Sequence, residues 1–435
     1  MEVLPVDPQS GPVIEAPDGL VQLPEASPSP QAGDISFVRL IGTSTGVKLV
    51  MDTSVQIFNP FLAIMASGLG TSVVVMGSLV SLRSIMGLCA PLFGARADRV
   101  GYRRTIRLTL LLAAAGMFMV GLSPNIWVAA IGMGVMGLGT GSFVPMLHSY
   151  LGSKLPYARR ARGMGIVEYS WALTGIVGLS LMGWLIAATT WRVPLLLLGV
   201  LLVIAAWIFA RMPAAPHPAR PAADPAALRV GWLGQTRAYL HVGPAARSTY
   251  GAIVGGAFNY FAAMSMMIIY GAWFGDAFGL GAAALGTVAL VFGLFDLVAS
   301  VAVSLFTDRL GKRNSVMLGL AIALVGYLIL PWLTFALVPA VLGVAFARTG
   351  FEFAVVSNFP LMSEQAPAHR GKVMAMGAAM GLLFATASGF TSPWIYTHVG
   401  IQGVIWLAAA ATACSLLILF FFVRERAGMP EELSA

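Results

Sequence analysis

Gly94-Ala-Arg-Ala-Asp98-Arg99-Val-Gly101-Tyr-Arg103-Arg104 is a basic turn set between two runs, 73–93 and 104–122, that are almost wholly apolar. Each run has about the 20 residues that cross roughly 30 Å of hydrocarbon as a helix. The turn therefore reads as a short loop joining two membrane spans. A similar loop, Ser304-Leu-Phe-Thr-Asp308-Arg309-Leu-Gly311-Lys312-Arg313, lies between the runs 282–305 and 314–333. Asp98 and Asp308 are 210 residues apart, while Arg162-Gly163 and Arg370-Gly371, each opening a further apolar run, are 208 apart. Two landmarks with nearly one offset indicate an internal duplication.

Working outward from these loops, helices are expected at 37–65, 73–93, 104–122, 125–151, 163–187, 192–210, 247–273, 282–305, 314–333, 336–363, 372–395 and 402–423. The fold class is thus an all-α polytopic membrane protein, with twelve transmembrane helices in two pseudo-symmetric six-helix bundles. Composition agrees: of 435 residues, 58% are hydrophobic and only 10% are charged, against about 25% charged in a soluble protein. The mean hydropathy is +0.84. Short loops leave no room for a soluble catalytic domain.

The net charge of +8 invites a nucleic-acid reading, but its placement excludes one. Of 26 Lys and Arg, 21 lie in alternate loops and the C-terminal tail. This positive-inside asymmetry places a multi-pass chain in the cell (inner) membrane with both termini cytoplasmic. The expected domains are a cytoplasmic tail at 1–36, bundles at 37–210 and 247–423, a central loop at 211–246 and a second tail at 424–435. The first tail holds seven prolines and six acidic residues without Lys or Arg, which reads as disordered. Cys89 and Cys414 each sit within an apolar run, so neither a disulfide scaffold nor a metal site is expected. Gly132-Met-Gly134-Val-Met-Gly137 satisfies a dinucleotide pattern. It lies inside an apolar helix with no preceding strand, where glycines permit close helix packing. No cofactor and no nucleotide are expected.

The run G-x-x-x-D-R-x-G-x-R-R resembles the signature loop of the major facilitator superfamily. The weaker second copy, the twelve helices and the long central loop are similar too, over about residues 37–425. The resemblance implies a secondary transporter in which two bundles rock around a cavity lined chiefly by helices one, four, seven and ten. It implies a gating role for Gly94, Asp98, Arg99, Gly101, Arg103 and Arg104, and for Asp308, Arg309, Gly311, Lys312 and Arg313. Physically, Asp98 and Asp308 can latch onto the following Arg or a neighbouring helix N-terminus. The bland alternative, basic anchors on an anionic leaflet, accounts for Arg103, Arg104, Lys312 and Arg313 but not for Asp98. The second copy departs at Ser304, implying a looser latch.

Ionisable groups in hydrocarbon are costly and mark function by default. Helix one carries Lys48, Asp52, Gln56 and Asn59 at spacings of four, four and three, on one face, with Pro60 expected to kink its end. Lys48 and Asp52 read either as a proton-exchanging pair or as a permanent ion pair. A nearby cation favours the carboxylate and desolvation disfavours it, so moving Asp52 between wet and dry settings would couple proton transfer to conformation. Helix ten repeats the pattern with Arg348 and Glu352, which read either as a structural pair or, if Glu352 leaves Arg348 open, as a site where the planar guanidinium holds an anionic substrate; Glu352 is also a proton-coupling candidate. Arg83 and Asp296, in equivalent helices, are candidates for an interhelical pair, and Asp296 is a second proton candidate. Asn259, Tyr260 and Tyr270 of helix seven join Gln56, Asn59, Arg83 and Arg348 as cavity candidates. Glu168, near the cytoplasmic end of helix five, reads as a carboxylate favoured by a helix N-terminus ahead of the gating or packing role the resemblance implies, and His148 as a lone histidine bonded to a neighbour ahead of a proton relay.

The leading expectation is proton-coupled efflux of an apolar or drug-like small molecule by a monomer in the lipid bilayer, with the proton as coupling ion. Buried carboxylates and the absence of a nucleotide loop favour a proton, and a Met- and aromatic-rich interior suits adaptable apolar ligands. Drug-exporting members of the family typically carry G-x-x-x-G-P-x-x-G-G in helix five. Here Thr174-Gly175-Ile-Val-Gly178-Leu179-Ser180-Leu-Met182-Gly183 lacks the proline, and Met133 stands where an arginine is often found. Proton-symport uptake of a sugar or organic acid is therefore the close alternative, and a non-transporting sensor a lesser one. The five His are scattered at 148, 217, 241, 369 and 398, and no catalytic cluster suggests an enzyme.

Overall fold

In a computed structural model, residues 36–214, 240–366 and 369–425 are described, without the side chains of residues 98, 157, 158, 161 and 308. Most of the first tail, the middle of the central loop and most of the second tail lie outside the described residues.

Among the described residues the chain is helical throughout, without strands. We number the crossing helices in chain order. α1 is Phe37–Gln56, continued after a turn by Leu62–Gly68. α2 is Val73–Ala97, α3 Tyr102–Gly121, α4 Ile126–Lys154, α5 Arg162–Ala188 and α6 Arg192–Ala210. In the second half, α7 is Ala246–Phe278, α8 Ala282–Leu310, α9 Lys312–Leu333, α10 Leu337–Gln365, α11 Arg370–Val399 and α12 Ile401–Phe422. The eleven helices from α2 onward are long and apolar enough to cross a membrane. α1 has the length, but its polar stripe lowers its hydropathy.

The packing repeats with the duplication. α3 lies against α4 and α6 as α9 lies against α10 and α12, and α2 meets α4 as α8 meets α10. The halves join through two equivalent crossings, α2 with α11 and α5 with α8. At the second crossing, a Cβ on Gly183 would stand 2.6 Å from the Ala282 carbonyl and 2.8 Å from Gly286 Cα. At the first, Ser81 Oγ donates to the Thr386 carbonyl at 2.8 Å. Near the same membrane face, a Cβ on Gly271 of α7 would stand 2.0 Å from the Pro60 carbonyl of α1. These close approaches run from the short-loop side to mid-membrane, on the side away from the basic loops.

The break in α1 follows from Asn59-Pro60. Proline has no N–H to continue the helix, and the Asn59 N–H turns back to the Gln56 carbonyl at 3.0 Å. The freed Val55 carbonyl accepts from Arg83 Nη1 at 2.7 Å. The guanidinium also lies over the Phe58 ring, 5.4 Å from its centroid. Arg83 thus supports the break, meeting a backbone carbonyl rather than Asp296.

Both signature loops turn on a glycine with positive φ, 91° at Gly101 and 82° at Gly311. Side chains with a Cβ rarely adopt that conformation, which explains the glycine at this place in each copy. Arg103 Nη1 donates to the Met212 carbonyl at 2.9 Å, while Arg99, Arg104 and Arg309 are exposed. The acidic side chains of Asp98 and Asp308 lie outside the described residues. The second copy is held by other acids. The Lys312 and Arg313 backbone N–H groups donate to the Glu425 carboxylate at 2.8 and 3.3 Å, capping the start of α9. Lys312 Nζ pairs with Glu364 of α10, and Arg313 Nη2 donates to the Phe420 carbonyl at 2.9 Å. Ser304 donates within α8, to the Ser300 carbonyl.

Candidate functional site

Two charged clusters are buried between the helices, one in each half. In the first, Lys48 and Asp52 of α1 form the i, i+4 ion pair that their spacing predicts, at 2.9 Å. Side chains four residues apart lie one above the other on a helix face, and both are almost wholly buried. Ser170 of α5 donates its hydroxyl proton to Asp52 Oδ2 at 2.6 Å and accepts from Lys48 Nζ at 3.1 Å. The third ammonium proton meets Glu168 Oε2 of α5 at 3.2 Å. The other Glu168 oxygen lies 2.7 Å from His148 Nε2 of α4.

Glu168 therefore does not sit at a helix N-terminus. It lies at the last residue of the segment Tyr157–Glu168, and its partners are an ammonium and an imidazole. His148 does have a neighbour, as expected, and that neighbour is Glu168. The cluster is graded in exposure. The side chains of Glu168 and His148 are 43% and 35% exposed, whereas those of Lys48 and Asp52 are 3% and 7% exposed. It runs from partly exposed groups toward the basic-loop side to enclosed ones at mid-membrane.

The second cluster pairs differently from expectation. Arg348 of α10 forms its ion pair with Asp296 of α8, not with Glu352 one turn along its own helix. Glu352 instead accepts from Ser300 Oγ of α8 at 3.1 Å. The i, i+4 spacing permits an Arg348–Glu352 pair, but α8 presents both a carboxylate and a hydroxyl to α10, and the interhelical partners win. The guanidinium carbon lies 5.2 Å from the centroid of the Phe292 ring.

Between the clusters is a small cavity lined by Gln56 and Asn59 of α1, Met267 and Tyr270 of α7, Phe292 and Asp296 of α8, and Arg348. Three buried polar atoms of that lining lack a hydrogen-bond partner: Gln56 Nε2, Arg348 Nε and Asp296 Oδ1. A buried polar group without a partner costs about 1–3 kcal/mol, so this wall is prepared for a water or a polar ligand group. Toward the basic-loop side, Met264, Met267 and Ala385 form an apolar cluster with Trp171 and Tyr260. Its members come from α5, α7 and α11, so it bridges the halves. Tyr260 lies 6.1 Å from the Phe351 ring, centroid to centroid. Asn259 is buried in α7 and is not part of the cavity wall.

A family model described as Major Facilitator Superfamily matches residues 46–375 and 252–434. The chain is similar to the uncharacterised MFS-type transporter YwfA of Bacillus subtilis, 24% identical over 387 residues that cover 85% of this chain and 88% of that protein. It is also similar to the class C tetracycline resistance protein of Escherichia coli, 24% identical over 352 residues, 77% of this chain and 84% of the other. A shorter similarity, 28% over 164 residues, covers 38% of this chain and 30% of the multidrug resistance protein B homolog of Mycobacterium tuberculosis. Among solved structures, the human organic anion transporter MFSD10 (TETRAN) matches with a TM-score of 0.67 at 16% identity, over 88% of this chain and 100% of that one. At that identity the likeness is one of fold.

Proposed function

The chain belongs to the major facilitator superfamily, and on that premise we propose that it is a proton-coupled exporter of apolar or amphipathic small molecules. The observation that carries the coupling is the Lys48–Asp52 pair, buried at mid-membrane yet connected through Glu168 to partly exposed groups. A buried acid balanced between a cation and exclusion from water changes its proton affinity when its surroundings open or close. The short-loop side is closed by backbone contacts at Gly183, Gly271 and Ser81. With the basic loops in the cytoplasm of a bacterial plasma membrane, this is an arrangement closed toward the outside.

The apolar cluster around Trp171, Tyr260, Met264 and Met267 supports an apolar ligand. Polarisable, flexible methionines adapt to varied shapes, and the unpartnered wall of Gln56, Asp296 and Arg348 would fix one polar end. Export is supported by the tetracycline and multidrug resistance relatives. Against it stand the missing proline in Thr174–Gly183 and Met133 in place of an arginine, so uptake by proton symport is the second reading. In either direction, Asp98 and Asp308 are proposed to latch the basic-loop side during switching, and the protein is taken to act as a monomer.

The deciding experiment uses everted membrane vesicles, acidified inside, with a pH dye. Lipophilic cations, tetracyclines, sugars and organic acids are added against vesicles lacking the protein. Protein-dependent collapse of the gradient by one class, lost in Asp52→Asn, is the expected result. Collapse that persists in Asp52→Asn removes Asp52 from the coupling. Accumulation of a sugar or organic acid driven by an inward proton gradient in right-side-out vesicles replaces export with uptake.

A further inference from the structure

Lys48 has three ammonium protons and three partners: Asp52, Ser170 and Glu168. Two carboxylates thus share one buried cation, and they differ in every other respect. Asp52 is enclosed and bonded by Ser170, whereas Glu168 is half-exposed and held on its far oxygen by His148. The three acid and base groups come from three helices, α1, α4 and α5.

We infer that Glu168 is a second seat for the Lys48 ammonium, taking over its charge when Asp52 is protonated, with His148 anchoring Glu168 on the open side. The inference rests on the reading of Asp52 as the proton site. One proton arrives from the aqueous side and forms an O–H bond on Asp52. Lys48 remains an ammonium throughout; it gives up its ion pair with Asp52 and keeps the one with Glu168. Without Glu168, protonating Asp52 strands a buried cation, a strongly unfavourable state. With it, the cation stays neutralised in both states, by a contact within α1 and one to α5 in the first and by the α5 contact in the second. Glu168 acts here as a positioning residue for Lys48.

The other titratable groups around the cluster are few. Tyr260 of α7 interacts electrostatically with Asp52, and Arg83 of α2 with Tyr260. Glu352 of α10 interacts with Glu168. α6 brings Arg192, committed to the Gly121 and Ser123 carbonyls. α3 brings Tyr102, Arg103, Arg104 and Arg107 in its first turns at the basic-loop end. None of these is a hydrogen-bonding rival to Glu168 for the Lys48 ammonium.

Acid-minus-neutral infrared difference spectra of the full chain in lipid vesicles test this, with the proton itself as the probe. The wild type should show a protonated-carboxyl band, loss of the Asp52 carboxylate stretches, and a shift of a second carboxylate as Glu168 takes the full charge of Lys48. Asp52→Asn should lose all three. Glu168→Gln should lose only the second carboxylate shift, and Glu168→Asp should restore it. A Glu168→Gln spectrum identical to wild type overturns the sharing. A carboxyl band that survives Asp52→Asn overturns instead the assignment of Asp52 as the proton site.

The sharing is tested independently by thermal midpoints in detergent. Asp52→Asn and Glu168→Gln should each lower the midpoint modestly. The double variant should lose far more than their sum, and adding Lys48→Met should recover most of that loss. Additive losses, or no recovery, overturn the inference.

Discussion

The charged cluster of each half brings together one Lys or Arg and two carboxylates, and the two arrange them in opposite ways. In the first half a lysine stands between its acids and bonds both, with every ammonium proton used. In the second half an arginine commits to Asp296, leaving Glu352 to a serine hydroxyl and two polar atoms of the ion pair without partners. The side chains explain the contrast. A lysine is a point charge with three rotatable donors, whereas the planar guanidinium is a rigid fork aimed in one direction. A duplicated frame thus holds a saturated, reorganisable cluster on one side and an unsaturated, rigid one on the other. The first suits a mobile proton and the second a polar ligand group.

The largest expected break in this comparison is Arg348→Ala. It leaves Asp296 and Glu352 buried without a cation, and stability should fall by about 3–5 kcal/mol, read as a lower unfolding temperature in detergent. Lys48→Met should lose less, about 1–3 kcal/mol, because Asp52 keeps the Ser170 hydroxyl and the half-exposed Glu168 keeps His148. Equal losses would mean that the two clusters are equally closed. Gly183→Ala forces a methyl group against the Ala282 carbonyl. Overpacking typically costs 1–3 kcal/mol, here at the closed end only. Faster labelling of a cysteine introduced near Ala282 should report the opening, and unchanged labelling would deny that this contact seals the face. Glu352→Gln should change stability by less than about 1 kcal/mol, since Ser300 can still donate to the amide oxygen. Glu425→Gln is the smallest, about 0.3–1 kcal/mol from a weakened helix cap, measured by the same thermal scan at low and high salt.

The membrane class, the twelve crossings and the duplication were legible because they rest on composition, run length and a repeated loop, all local to the chain. The Lys48–Asp52 pair was legible for the same reason, as four-residue spacing on a helix is a contact. Glu168 was not. Its partners are 120 and 20 residues away, and no periodicity records which helices meet. The usable signal was chemical, an ionisable group within a membrane helix, which by itself asks for a partner. Arg348 shows the converse hazard: its spacing to Glu352 was right for a pair, yet a neighbouring helix offered the better acceptor. The role of Glu425 at the second signature loop escaped notice because helix capping by a residue 113 positions away leaves no trace in local sequence.

The interrupted first helix has a consequence for how the protein is made. A lysine or aspartate at a helix centre disfavours insertion by about 2.5–3.5 kcal/mol each, and α1 carries both, followed by a proline break. Emerging from the ribosome before α5, it has no Ser170 or Glu168 to satisfy Lys48, since α5 is synthesised more than 100 residues later. This span is therefore a poor membrane anchor when alone, and its final seating waits on the arrival of α5. Orientation of the nascent chain falls to α2 and the basic loop that follows it. That loop, Arg96 to Arg107, then serves biogenesis before it ever serves transport.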